Sequence, residues 1–227
     1  MSLINDLRHV VSPPHPAGRP FILGGLLGVV IGVFLGTWLI WLSGLFILFC
    51  LYFFRDPERV PPDRSDAFLA PADGRIVAIA EVPPPAELDL GDVPLWRVSI
   101  FLSVLDVHVN RVPIDATVTR IAYHHGAFVS ASLDKASEEN ERNAVGLRLA
   151  DGRGFAVVQI AGLIARRILC DIREGQTVHA GDRFGIIRFG SRTDLYLPNG
   201  VRPLVAMGQT MIGGETVIAE LSHGPVT

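Results

Sequence analysis

Residues 172–190 read IREGQTVHAGDRFGIIRFG. Gly175 and Gly181 each mark a tight turn, and an apolar, strand-like run follows. PADGRIVAI at 71–79 opens in the same way, with a Pro, Asp and Gly turn signal before an apolar run. Working outward, GRIVAIAEV (74–82), LWRVSIFLS (95–103), ATVTRIAYH (116–124), VGLRLA (145–150), FAVVQIAG (155–162), DRFGIIRFG (182–190) and ETVIAEL (215–221) share this character. They are short, many are β-branched, and turn residues bound them, which predicts strands. Only SASLDKASEENERN (130–143) reads as a polar loop or short helix. The expected class is mainly β (α+β).

Residues 21–54, FILGGLLGVVIGVFLGTWLIWLSGLFILFCLYFF, contain no charge. A signal peptide has a shorter apolar region with a small-residue cleavage site after it. One straight helix of this run would be roughly 50 Å long at about 1.5 Å per residue. The hydrocarbon core is about 30 Å thick, and two full spans need about 40 residues. The run therefore falls between one span and two. Arg8 and Arg19 precede it, and Arg55 and Arg59 follow it. Positive charge stays in the cytoplasm, so both ends prefer that side. This predicts a hairpin of two short helices turning near Gly36 and Thr37; one long tilted span is the alternative. The expected organisation is an irregular arm (1–20, with PPHPAGRP), a helical membrane anchor (21–54) and a polar domain (55–227) entered through DPERVPPD.

The composition is 49% hydrophobic, with a mean hydropathy of +0.37 and a formal net charge of -3. That charge argues against a nucleic-acid partner, which needs a basic face. Cys50 and Cys170 are far apart in sequence and make no disulfide framework, in keeping with a reducing compartment. Lys135 is the single lysine and lies in a charged stretch, which argues against pyridoxal phosphate. The seven histidines show no ligand spacing with Cys, Asp or Glu, so no metal is expected.

Two resemblances sharpen the reading. The G-x-x-V-x-x-G-D pattern from Gly175 to Asp182 resembles the barrel-sandwich strands of biotinyl and lipoyl carrier domains. Carrier function needs a lysine at a hairpin tip, and none is there. What remains is a barrel-sandwich-like fold. Five segments then stand out: FFRDPERVPP (53–62), PADG (71–74), DVHVNRVP (106–113), ASEENERN (136–143) and FGSRTDLYLP (189–198). In order and spacing they resemble the short-form phosphatidylserine decarboxylases, over nearly all of the chain after residue 50.

The resemblance places self-cleavage between Gly190 and Ser191, where the pair is read as ending an apolar strand before an Arg-Thr-Asp turn. Glycine leaves its carbonyl open to attack and tolerates a strained backbone. Attack by the Ser191 hydroxyl would turn the amide into an ester, and β-elimination would then leave a pyruvoyl group on the new N-terminus. The products would be a β chain, 1–190, and an α chain, 191–227. A hydroxyl needs a base, and the family's Asp-His-Ser arrangement maps onto Asp73, His108 and Ser191. Long-form relatives carry a second histidine where this chain has Arg111. His108 then serves both steps, or His124 or His125 takes one of them.

The resemblance further implies a Schiff base between the pyruvoyl ketone and phosphatidylserine. CO2 leaves into that electron sink and phosphatidylethanolamine is the product. His108 would protonate the carbanion. Arg55, Arg59 and Arg111 are candidates for holding the lipid phosphate. The expected location is the cytoplasmic face of the cell membrane, and a homo-oligomer is left open. Two other readings compete. A tethered barrel-sandwich adaptor would need heptads, which are absent, and would stay uncut. A membrane serine peptidase using Ser191 and His108 would react with phosphonates and would not cleave itself.

Overall fold

The computed structural model describes residues 12–126, 140–162, 167–188 and 190–221. Most of the polar stretch 130–143, including Lys135, lies outside them. The chain divides into two compact units, Met1–Glu58 and Arg59–Thr227.

The first unit is a helical hairpin. A short 3-10 turn, Pro16–Gly18, leads into α1 (Arg19–Leu35), which has a proline in its first turn, where the missing N–H costs nothing. Gly36 adopts φ 132° and ends the helix, and α2 (Thr37–Phe53) starts at the next residue. Only glycine occupies that conformation without strain. The two helices pack antiparallel through a glycine stripe on α1. A Cβ at Gly25 would come within 2.5 Å of Ile47, and one at Gly28 within 2.5 Å of Ser43 Oγ. One at Gly32 would come within 2.8 Å of the Ile40 backbone. Small residues let helix backbones approach this closely where no hydrophobic drive separates core from surroundings. The outer surface is apolar: Leu27, Phe34, Trp38, Trp41 and Leu45 are all more than half exposed. The stretch Pro16–Leu35 is long and apolar enough to cross a membrane, while α2 is shorter at 17 residues. The described end of the arm is ordered against the exit of α2. The His15 N–H donates to Phe54 O (2.7 Å) and the Asp56 N–H to Pro13 O (3.0 Å).

The second unit is antiparallel β throughout its described pairings. Its short strand β1 (Ala67–Leu69) pairs with β13 (Val217–Glu220). A three-stranded sheet contains β4 (Val109–Arg111), β8 (Ile168–Cys170) and β10 (Arg183–Ile187), with β10 in the middle. The large sheet contains β2 (Gly74–Val82), β3 (Leu95–Leu102), β5 (Ala116–His124), β6 (Arg142–Arg148), β7 (Gly154–Ala161), β9 (Thr177–Val178), β11 (Ser191–Tyr196) and β12 (Thr210–Met211). Its order is β12-β2-β3-β11-β7-β6-β5-β9, so β11 lies between β3 and β7 near the centre. The mainly β expectation holds, and the sheet curls so that one face shares a core with the two small sheets. Phe68 and Phe155 meet edge-to-face at 5.2 Å there, with Ile100, Val157, Phe184, Leu195 and Ile218 around them. Gly74 makes one close approach possible. It has φ 140°, and a Cβ on it would sit 2.2 Å from Phe101 O.

One element differs from the sequence reading. Residues 192–194 are no turn: Ser191–Tyr196 is a fully buried strand. The side chains of Arg192, Thr193 and Asp194 find partners inside the protein. Arg192 and Asp194, two apart and therefore on one face, form a fork: Nε lies 2.9 Å from Oδ1, and Nη2 donates to Oδ2 at 3.0 Å. Both are essentially unexposed, at 1% and 0%. Thr193 faces the other side and accepts from Asn110 Nδ2 at 3.2 Å.

The buried fork makes a clear stability prediction. Arg192→Met leaves the Asp194 carboxylate buried without its partner, and breaking such a pair costs about 3–5 kcal/mol. Replacing both, as Arg192→Met with Asp194→Leu, is expected to cost much less, because no orphan charge remains. Thermal or denaturant unfolding of the purified chain in detergent checks this; equal losses in the single and double variants would refute it.

Candidate active site at the Gly190–Ser191 junction

Ser191 opens β11, opposite Leu102 of β3 and Ala161 of β7. It is 0% exposed, and its Oγ has no hydrogen-bond partner among the described residues. A buried hydroxyl without a partner is costly and calls for an explanation. Gly190 adopts φ 61°, in the left-handed region, and the space where a Cβ would stand is open. A side chain there would be strained by the backbone alone. The junction thus joins a half-buried glycine in an unusual conformation to a buried hydroxyl with no hydrogen-bond partner among the described residues.

His108 comes to this junction from the loop before β4. Its Nε2 accepts the Gly190 N–H at 3.2 Å, and its Nδ1 lies 2.9 Å from Asp106 O. A carbonyl only accepts and the Gly190 N–H only donates, so Nδ1 carries the proton and the Nε2 lone pair accepts from Gly190, which defines the neutral tautomer. The loop is fixed by its own polar groups: Ser103 N–H donates to Asp106 Oδ2 (2.8 Å) and Asp106 N–H to Ser103 O (3.0 Å). The ring is 0% exposed.

The PADG turn runs beside β4. The Arg111 N–H donates to Pro71 O and the Leu69 N–H to Pro113 O, both at 2.8 Å. Asp73 in this turn accepts from Arg59 Nη2 through Oδ2 (2.7 Å) and from the Gly213 N–H through Oδ1 (2.7 Å). The structure therefore brings His108 into contact with Gly190, the residue before Ser191. It places Asp73 on the turn bracketing the histidine's strand, with its carboxylate on Arg59 and Gly213.

The remaining candidates are spread out. Arg111 is 4% exposed and donates to Gly181 O at 2.9 Å, locking two turns together. Arg55, in the first unit, donates to Tyr52 O (2.9 Å) and lies 4.1 Å above the Tyr52 ring. His124 pairs with Glu87 at 3.2 Å, and His125 stacks edge-on to Tyr123 at 5.0 Å.

Two features were not read from the sequence. Asp106 sits in the quoted DVHVNRVP segment, but it acts on the histidine through its backbone carbonyl, which any residue supplies. The second is a buried amide ladder joining the large sheet to β4. Asn143 Nδ2 donates to Gln159 Oε1 (2.9 Å), Gln159 Nε2 to Asn110 Oδ1 (2.8 Å), and Asn110 Nδ2 to Thr193 Oγ1 (3.2 Å). It ties the strand after His108 to the strand that begins at Ser191. Gly185 leaves room for it, since a Cβ there would come within 3.0 Å of Gln159 Nε2. Asn110 and Asn143 were in view as parts of motifs, and an apolar strand interrupted by Gln159 was the available signal.

The family model described as phosphatidylserine decarboxylase matches residues 46–219. The chain is 67% identical to the phosphatidylserine decarboxylase proenzyme of Granulibacter bethesdensis, over 98% of this chain and 91% of that protein. It is 65% identical to the proenzyme of that name from Gluconacetobacter diazotrophicus, over 97% and 100% of the two chains. A third, from Gluconobacter oxydans, is 60% identical over 97% and 100%. The chain belongs to the phosphatidylserine decarboxylase family.

Proposed function

We propose that this chain is a proenzyme that cuts its Gly190–Ser191 bond, turns Ser191 into a pyruvoyl group, and decarboxylates phosphatidylserine to phosphatidylethanolamine. The observation that carries the reading is the contact of His108 Nε2 with Gly190 beside a buried Ser191 hydroxyl that has no hydrogen-bond partner among the described residues. Membership of the family supplies the substrate class.

The residues suit the group that would form there. Once its Nε2 lone pair leaves the Gly190 N–H, His108 is the base we assign to the Ser191 proton as Oγ bonds to the Gly190 carbonyl carbon. The Gly190–Ser191 C–N bond then breaks, and the same proton can return to the Ser191 nitrogen. Elimination across the Ser191 Cα and Cβ releases the Gly190 carboxylate, and water then replaces the nitrogen as ammonia. Burial excludes bulk water from this strand end and strengthens each electrostatic contact. The Asp106 carbonyl holds the ring in the required tautomer. Asp73 balances Arg59 and pins the PADG turn against β4, which is the part we assign it. The pyruvoyl ketone, once present, supplies an electrophilic carbonyl and an electron sink for the loss of CO2. His108 remains the group placed to return a proton to the substrate carbon.

The apolar hairpin suits a lipid substrate. We propose that it anchors the chain in the cell membrane with the β unit on the cytoplasmic face, where the flanking arginines favour it. The α and β chains would remain associated through the sheet pairings. The test is the denatured mass of the purified protein together with a phosphatidylserine assay in mixed micelles. Two chains, the smaller starting at position 191 with a blocked end, and equal release of CO2 and phosphatidylethanolamine are expected. An intact, inactive chain would overturn the proposal.

A further inference from the structure

Ser191 opens its strand at one end of the large sheet, and the turns at that end carry exposed apolar side chains. Met211 pairs with Gly74, Arg75 with Phe101 and Leu102 with Ser191, so β12, β2, β3 and β11 begin or finish side by side. At about 4.8 Å between neighbouring strands, the row is roughly 14 Å wide. Residues 103–106 turn off the end of β3, just before His108, and expose Val104 and Leu105, the latter at 61%. Residues 212–216 turn off the end of β12 and expose Ile212. Val60, 81% exposed, joins this second turn, because its N–H donates to Glu215 Oε1 at 3.0 Å.

Both turns are held by their own hydrogen bonds. In the first, the Leu105 N–H donates to Ser103 Oγ at 3.3 Å, beside the Ser103–Asp106 bonds already described. In the second, the Glu215 and Thr216 N–H groups donate to Ile212 O (3.1 and 2.9 Å), and the Ile212 N–H to Thr216 Oγ1 (2.9 Å). The nearby charged side chains have partners too. Asp106 accepts from the Ser103 N–H, Glu215 from the Val60 N–H, and Arg59 pairs with Asp73. The rim thus presents apolar tips on preformed turns whose polar groups are bonded within the protein. Entry into the poorly hydrated surface layer of a bilayer requires that combination, because unbonded polar groups resist leaving water. A cluster of exposed apolar side chains around a functional site marks a contact surface.

We infer that these turns form a membrane contact of the β unit itself, in addition to the hairpin. Val60, Val104, Leu105 and Ile212 enter the head-group region of the bilayer and hold the Gly190–Ser191 junction at its surface. The inference rests on the decarboxylase reading and deepens it, because it says how a junction fixed in a sheet meets a lipid that stays in its bilayer. Lifting acyl methylenes into water is unfavourable, so the serine head group is met at the membrane surface. Connectivity favours a bilayer over a second copy of the chain as the occupant. Val60 follows closely in sequence on Phe53, where the apolar hairpin ends, so a chain anchored by that hairpin enters its β unit at this rim.

The test compares two forms of phosphatidylserine on the matured full chain in phosphatidylcholine vesicles. One is long-chain and carried in the same bilayer. The other is dihexanoyl phosphatidylserine, dissolved in the surrounding water below its micelle-forming concentration. In Leu105→Asp, turnover of the bilayer-borne substrate should fall about ten- to a hundredfold, the worth of one leucine withdrawn from an apolar phase. Turnover of the dissolved substrate should stay at the wild-type level. Val60→Asp should act in the same direction. Val93→Asp is the control: Val93 is exposed just before the opposite end of β3, and its variant should leave both activities unchanged. Intact mass reports maturation, and if Leu105→Asp stays uncut, Val60→Asp and Ile212→Asp decide. Unchanged use of the bilayer-borne substrate overturns the inference, and so does an equal loss on both substrates. A lower oligomeric state of Leu105→Asp in detergent would mark a contact between copies and overturn it as well. A wild type that is intact by mass and active on neither substrate removes the decarboxylase reading, and the inference with it.

Discussion

Ser191→Ala is expected to leave one uncut chain of 24.6 kDa with decarboxylation at the uncatalysed background. The substitution removes a single oxygen from a buried position, so the fold should survive. Without Oγ no ester can form and no ketone can arise at position 191. The loss is therefore the whole catalytic effect, at least about 10⁶-fold by the ordinary span of enzymatic acceleration. Intact mass and the release of labelled CO2 check it. Cleavage at position 191 in this variant would mean another nucleophile, and the role given to Ser191 would fall.

His108→Ala is expected to slow self-cleavage by about 10²- to 10⁴-fold, the usual contribution of a positioned proton carrier. Newly made protein would accumulate as the uncut form and convert over hours. The ring is fully buried, so the alanine variant also creates a cavity. His108→Gln addresses that, because its amide can keep hydrogen bonds in the same space while moving no proton at neutral pH. Pulse-chase conversion of both variants separates the possibilities. Normal cleavage in His108→Gln would reduce the histidine to a packing role.

Much of this was legible in the sequence, and the reasons differ by element. The strands Gly74–Val82 and Ala116–His124 match their expected bounds because turn residues and β-branched runs delimit them. The helix break at Gly36 agrees with the hairpin expected from the length of the apolar run and the arginines at both its ends, for which one long span was the alternative. The strand after Ser191 was not. Arg, Thr and Asp normally report solvent, and here the Arg192–Asp194 fork and the Asn110 contact satisfy them internally. Such partners are distant in sequence or invisible to hydrophobic periodicity. At the site, Ser191 and His108 were legible as motif residues. The Asp106 carbonyl was not, since every residue carries one.

The central position of β11 sets how the proposed cut form would respond to denaturation. Residues 191–221 place β11 between β3 and β7, β12 at an edge of the large sheet, and β13 against β1. Cutting at Gly190 leaves every one of these pairings available but removes the tether. Reassembly of a denatured mature protein would then be a meeting of two molecules, the smaller of which keeps none of its neighbouring strands. On the proposed cleavage, the uncut precursor is the species expected to find the fold unaided, and the cut form is expected to last only as long as its two chains stay together. Denaturation should be reversible for the precursor and, on dilution, a one-way event for the cleaved form.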